Sequence, residues 1–270
     1  MRIRRPYPII PVAVVVVWSL SPALFAQRGQ QERAATAKAA APAPRRDVSG
    51  VWSFLPGDPS LSPVGSLTGV GRGPGDFPPL TAWGQAKYDA NKPGYGPKMT
   101  PENNDPMLQC DPAGIPRLLF GATFEIETIP GRTMMFFGTA WRPIWTDGRA
   151  LPNDPDPTWM GTSIGRWEGD YMFVVSSVGF NDRTWLGQEG QPHSDEMRLE
   201  ERWERVDRET LHLNATIDDP KTYTKPYKTI QIVYKLRPST YEFTPNPCVW
   251  SDENAFLNRI RKPALGSQKK

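Results

Sequence analysis

The side chains best suited to chemistry lie in one polar stretch, Gly179-Phe-Asn-Asp-Arg-Thr-Trp-Leu-Gly-Gln-Glu-Gly-Gln-Pro-His-Ser-Asp195. It reads as a loop between two strong strands, and loops on a rigid β scaffold are where sites usually sit. The chain has two histidines, His193 and His212. Proton transfer near neutral pH would fall first to His193, with Asp195 close enough in sequence to orient it. His212 falls on the polar face of its strand and reads as surface. A polar loop held by Asp–Arg pairs would explain His193 and Asp195 equally well, because spacing alone assigns no third partner.

Glu201 is the sharper inference. Met197 to Val206 alternates so that Met197, Leu199, Glu201 and Trp203 share one strand face, with Arg198, Glu200, Arg202 and Glu204 on the other. The i, i+4, i+7 spacing of Leu199, Trp203 and Val206 also suits a helix. The regular alternation of Leu211 to Ile217 across a short turn favours a strand hairpin. As a strand, the segment puts a carboxylate on an apolar face, which is costly unless the charge is paired. Glu201 therefore has an arginine partner or faces a ligand cavity. Arg198 lies on the wrong face, so Arg183 is the expected partner.

Nine of the ten tryptophans lie after residue 26. Trp141 and Trp145 share a strand face with Pro143, and Trp185 lies in the polar stretch. Such rings stack on sugars or line apolar pockets, though ordinary packing explains most of them. These three and Arg183 are the expected ligand-binding set; His193, Asp195 and Glu201 are the expected catalytic set. Asn153-Asp-Pro-Asp-Pro157 and Asp218-Asp219 cluster carboxylates where strands turn, and turn chemistry accounts for them without calcium. No metal or cofactor is expected. The cysteines do not read Cys-x-x-Cys-His, and there is no Gly-x-Ser-x-Gly elbow or phosphate loop.

The elements that would hold these residues are mostly strands. Thirty prolines point to extensive ordered loop. Strands are expected at 48–54, 124–128, 133–137, 141–145, 163–167, 171–178, 197–206, 211–217 and 227–236, with a further short one at 242–243. Thr81 caps a short helix to Ala90, and a second helix covers 251–261. This spacing predicts a mainly β fold: an antiparallel meander closed into a lipocalin-like barrel or bent sandwich of 8–9 strands, with long Pro/Gly-rich loops.

Residues 1–26 read as a secretory signal peptide. Arg2, Arg4 and Arg5 precede an apolar stretch from Ile9 to Leu20, too short for a bilayer that needs about 20 residues. Small residues end at Ala26. An Ala-rich linker, 27–46, leads to a single β-rich domain at 47–265 and a tail at 266–270. Export makes a Cys110–Cys248 disulfide the expected state. The chain has 32 Lys+Arg and 29 Asp+Glu; without signal and linker, 24 basic face 28 acidic residues. That balance argues against a nucleic-acid partner.

Several segments carry a family likeness. They are Trp145-Thr-Asp-Gly-Arg-Ala-Leu-Pro-Asn-Asp-Pro-Asp-Pro-Thr-Trp-Met-Gly161, Gly165-Arg-Trp-Glu-Gly-Asp170, Gly179-Phe-Asn-Asp-Arg-Thr-Trp185, Pro192-His-Ser-Asp-Glu-Met-Arg-Leu-Glu-Glu-Arg202 and Asp218-Asp-Pro-Lys-Thr-Tyr-Thr-Lys-Pro226. With them the chain resembles a family of uncharacterised exported bacterial proteins. The resemblance implies export and a shared domain, and no reaction. Gly50-Val51-Trp52 also resembles the Gly-x-Trp opening of lipocalin-like barrels. The first expectation is a periplasmic or secreted barrel that binds a small apolar or glycan-like molecule. The alternatives are a hydrolase or lyase built on His193 with Asp195 or Glu201, and a structural or assembly module with a protein partner in the cell envelope.

Overall fold

A computed structural model describes residues 41–54, 79–120, 123–229, 231–244 and 248–262. The proposed signal peptide, the linker up to residue 40, most of the Pro/Gly-rich passage at 56–79 and the tail lie outside the described residues. The strands are β1 (Gly50–Phe54), β2 (Phe124–Ile129), β3 (Arg132–Phe137), β4 (Trp141–Trp145), β5 (Thr162–Glu168), β6 (Met172–Val178), β7 (Arg198–Asp207), β8 (Thr210–Asp218), β9 (Tyr227–Lys228) and β10 (Ile232–Leu236). The helices are α1 (Ala82–Ala90) and α2 (Trp250–Phe256).

Strands β1 to β8 pair in chain order. Strand β10 pairs with both β1 and β8 and closes a nine-stranded barrel, while β9 is a two-residue addition on β8. The expected barrel is therefore present, and closure leaves little exposed sheet edge. Three details differ from the expectation. The segment 227–236 is split into β9 and β10 instead of forming one strand, and 242–243 is not a strand. The meander is also not wholly antiparallel: β4 and β5 run parallel, with Ile144 opposite Ser163 and Trp145 opposite Ile164. A parallel pair cannot be joined by a tight turn. Residues 146–161 must carry the chain back along the barrel, and they are the Thr-Asp-Gly-Arg to Trp-Met-Gly motif.

Alternation fills the barrel. Trp52, Phe124, Met135, Phe173, Trp203 and Tyr234 all point inward and are fully buried. Phe124 sits at the centre, with its ring edge-on to Trp203 at 5.7 Å and to Tyr234 at 5.0 Å. Aromatic contacts of this kind add roughly 0.5–1.5 kcal/mol each beyond area burial. At the end where β7 turns into β8, Arg205 closes the barrel. Its guanidinium lies over the Trp52 ring and donates to the carbonyls of Asp47, Ser49 and Arg208. Residues 41–46 lie along the same end, where Arg45 and Arg46 pair with Asp170.

The helices sit outside the barrel. Thr81 caps α1 by accepting from the Gly84 amide at 3.1 Å, as its sequence position predicts. Glycine at position 84 lets the Thr222 backbone approach closely: a Cβ there would lie 2.2 Å from the Thr222 carbonyl oxygen. Cys110 and Cys248 form the expected disulfide across 138 residues of sequence. It links the 3₁₀ turn Pro106–Gln109 to α2.

In the chain-entropy view, replacing both cysteines by serine frees a loop that contains nine of the ten strands. The unfolding free energy should then fall by up to about 5 kcal/mol. Urea denaturation checks this, and an unchanged midpoint would show that the crosslink adds no stability.

Candidate functional site

The most concentrated chemistry lies inside the barrel. Glu201 faces inward, as alternation along β7 predicts, and is fully buried. Its partner is Arg142 on β4, equally buried. Arg142 Nη1 donates to Glu201 Oε2 at 3.0 Å and Nη2 donates to Oε1 at 2.6 Å. The remaining polar atoms are also engaged. Arg142 Nε donates to Ser163 Oγ at 3.0 Å and Nη2 to Ser177 Oγ at 2.8 Å, and the two serines bond each other at 2.9 Å. Trp203 Nε1 donates to Glu201 Oε2 at 3.1 Å. Four strands contribute: β4 gives Arg142, β5 gives Ser163, β6 gives Ser177, and β7 gives Glu201 and Trp203. This bidentate geometry is the strongest form of the pair, and the serines and indole satisfy its outer positions.

The expected Glu201–Arg183 pair is corrected by this arrangement. Arg183 lies on the surface, 3.9 Å from Asp111, with its guanidinium 4.8 Å from the centre of the Trp159 ring. Arg142 was legible in principle. Trp141-Arg-Pro-Ile-Trp145 puts Arg142 in phase with Ile144, so an arginine shares the apolar face just as Glu201 does.

The stretch from 179 to 195 is not an open loop. Phe180, Thr184, Trp185, Leu186 and His193 are all buried and pack against one end of the barrel. The His193 Nε2 lies 2.6 Å from Thr184 Oγ1 and its Nδ1 lies 3.2 Å from the Ser194 carbonyl oxygen. A carbonyl only accepts, so Nδ1 carries the proton and Nε2 accepts from the threonine. Burial pushes the imidazole pKa down; the Ser194 carbonyl and the charge of Asp219 oppose it. His193 is thus a neutral structural hydrogen-bonding group. Asp219 is held in turn by the Ser194 hydroxyl at 2.6 Å and the Ser194 amide at 2.7 Å. Nearby, burial raises the Glu189 carboxyl, which accepts from Gln191 Nε2 at 3.0 Å.

Asp195 does not orient His193. It points to solvent and accepts from Lys221 Nζ at 2.9 Å, which holds its pKa below the usual carboxylate range. His193, Asp195 and Glu201 thus have separate partners, with no hydrogen bond between any two of them. Of the expected ligand-binding rings, Trp185 is buried under the Arg117 guanidinium. Trp141 and Trp145 lie on the outer face of β4, where Arg149 covers Trp145 at 3.6 Å from the ring centre. The aromatic set does not converge on one cavity.

A cavity does form outside the barrel, beneath the crossover loop. One wall is the loop itself, with Asn153, Asp154, Pro155 and Pro157; the other is the rim formed by Val178, Asp195 to Arg198 and Asp218. Its volume is about 460 Å³. A second cavity of about 250 Å³ adjoins it along the outer faces of β6, β7 and β8, between Leu151 and Ser176, Glu200 and Thr216. Val178, Arg198 and Asp218 line both, so they form one groove. The loop wall is pinned by two backbone bonds, Thr158 N to Gly179 O and Asn181 N to Thr158 O, each 2.9 Å. Gly179, at φ +73°, lets Pro155 close in: a Cβ there would lie 2.5 Å from the proline ring. Sequence reasoning read 153–157 and 218–219 only as turns. Seeing the groove required knowing that β4 and β5 are parallel.

Removing one charge of the core pair leaves the other buried without compensation. Glu201→Gln should cost about 3–5 kcal/mol of unfolding free energy in denaturant titrations. A loss under 1 kcal/mol would show that the pair is solvated. His193 gives a pH signature. Its folded pKa is depressed, so the unfolded state binds its proton first as pH falls. The stability contribution is complete above about pH 6.5 and declines below it by at most about 1.4 kcal/mol per pH unit. His193→Gln should flatten that part of the stability–pH curve, and an unaltered slope would assign it to other groups.

No family model, curated protein or solved structure matches the chain.

Proposed function

We propose that the protein is an exported binding protein, not an enzyme, and that it holds a small polar, glycan-like ligand in the groove under the 146–161 crossover. The observation that carries this reading is the groove itself, a preformed concavity of about 460 Å³ with convergent polar groups. Binding sites for small molecules have this size and a few fixed polar groups. Asp154, Asp195 and Asp218 offer acceptors, and Arg198 offers donors. Val178 and the prolines of the loop supply apolar faces between them. That mixture suits a molecule with many hydroxyl groups. The interior of the barrel is filled by aromatic side chains and by the Arg142–Glu201 pair, so a central apolar ligand is not favoured.

The catalytic alternative loses support from the same geometry. His193 is enclosed, Asp195 is bound to lysine, and Glu201 is committed to arginine. The Cys110–Cys248 disulfide and the expected signal peptide support a periplasmic or secreted location. No helix among the described residues is long and apolar enough to cross a membrane.

Thermal shift and calorimetry against a panel of neutral and acidic oligosaccharides test the proposal. At least one class should raise the melting temperature, and the Arg198→Ala/Asp218→Ala variant should lose that shift while keeping its own unfolding transition. A ligand shift that survives this variant, or none from any sugar class, would overturn the groove as the site.

A further inference from the structure

A second surface stands apart from the groove. No described side chain of helix α2 or of the turn that continues it, 257–260, is buried. Val249, Trp250, Phe256 and Ile260 are 47%, 48%, 55% and 56% exposed. Elsewhere in the described residues, exposed large apolar side chains are scattered; here four fall within twelve residues, and single exposed residues need no explanation whereas clusters do. Val249, Phe256 and Ile260 recur at i, i+7 and i+11, the spacing of one helical face. Asn254, Asn258 and Lys262 recur at i, i+4 and i+8 on another, joined by bonds of 3.0 and 2.8 Å. The segment is amphipathic, and its apolar side is exposed.

Charge identifies the occupant. Residues 259–262 hold Arg259, Arg261 and Lys262 and no acidic residue. The acidic pair Asp252 and Glu253 lies in the first turn, at the other end, where the helix dipole accommodates it. The domain as a whole is slightly acidic, so this basic segment is where an anionic surface would meet the molecule. An exposed aromatic and aliphatic face beside a basic cluster is the pattern of a helix that lies in a lipid headgroup layer. The disulfide at Cys248 fixes the start of α2 to the domain, so docking the helix would hold the barrel at that surface.

We propose that α2 and the basic residues within 259–262 dock the protein on an anionic lipid surface. The apolar face enters the headgroup region and the basic residues contact the phosphates. This inference is independent of the groove.

Vesicle flotation of the full chain tests it, with phosphatidylglycerol-containing vesicles compared against pure phosphatidylcholine. The protein should float with the anionic vesicles, more weakly with the neutral ones, and less at high salt. Phe256→Glu/Ile260→Glu should abolish flotation. Arg259→Glu/Lys262→Glu should weaken it by at least about tenfold. Both variants alter exposed residues and should keep the parent unfolding transition, and Arg198→Ala/Asp218→Ala should float normally. Three results would overturn the proposal: no flotation with anionic vesicles, flotation unaffected by the Phe256/Ile260 variant, or light scattering that shows these residues instead joining two copies of the chain.

Discussion

The rest of the structure is organised around one buried contact, the Arg142–Glu201 pair. Two charges in a filled barrel are tolerable only when each is the other's counterion and every remaining polar atom has a partner. That requirement fixes several strands at once. Ser163 and Ser177 must stand side by side within reach of the guanidinium, and Trp203 must lie next to the carboxylate. The contact therefore ties β4, β5, β6 and β7 into one register, and a slip of one residue in any of them would turn its member outward. A polar contact of this kind favours one pairing over its neighbours more than it adds stability.

The parallel pairing of β4 and β5 follows the same logic. It brings Arg142 within hydrogen-bond reach of Ser163 and of Glu201. It also forces the chain to cross back over the outside of the barrel through 146–161. The groove exists because that loop must lie somewhere, and the backbone bonds at Thr158 and the close approach at Gly179 keep it from collapsing onto the strands. The interior contact and the exterior cavity thus have a common topological cause. Chemistry that looked available in the sequence has been absorbed into architecture, and the open polar surface has moved outside.

What was legible in the sequence was mostly local. Period-two alternation placed Glu201 inside and paired 197–206 with 211–217 across a short turn, and the capping chemistry of Thr81 placed a helix start. An unusual residue on an apolar face was a sound reason to expect a partner. That Arg142 shares an apolar face with Ile144 was legible; its pairing with Glu201, 59 residues away in sequence, was not, because it depends on the parallel β4–β5 pair. The 179–195 stretch misled for a different reason. Several of its polar groups bond one another, His193 with Thr184 and the Gln191 amide nitrogen with Glu189, so a segment with the composition of a surface loop is buried. Trp141 and Trp145 were placed on one face correctly, but alternation does not say which face is outside; that was decided by Arg142 and Ile144 turning inward.

The most direct measurement of this account is the unfolding free energy of the Arg142→Met/Glu201→Leu double variant. If the two charges serve only each other, apolar residues of similar size should replace them with little loss, or with a gain of about 1–4 kcal/mol. The barrel should then remain a single cooperative unit. A double variant less stable than Glu201→Gln alone would contradict the account and show that the charges hold something besides each other.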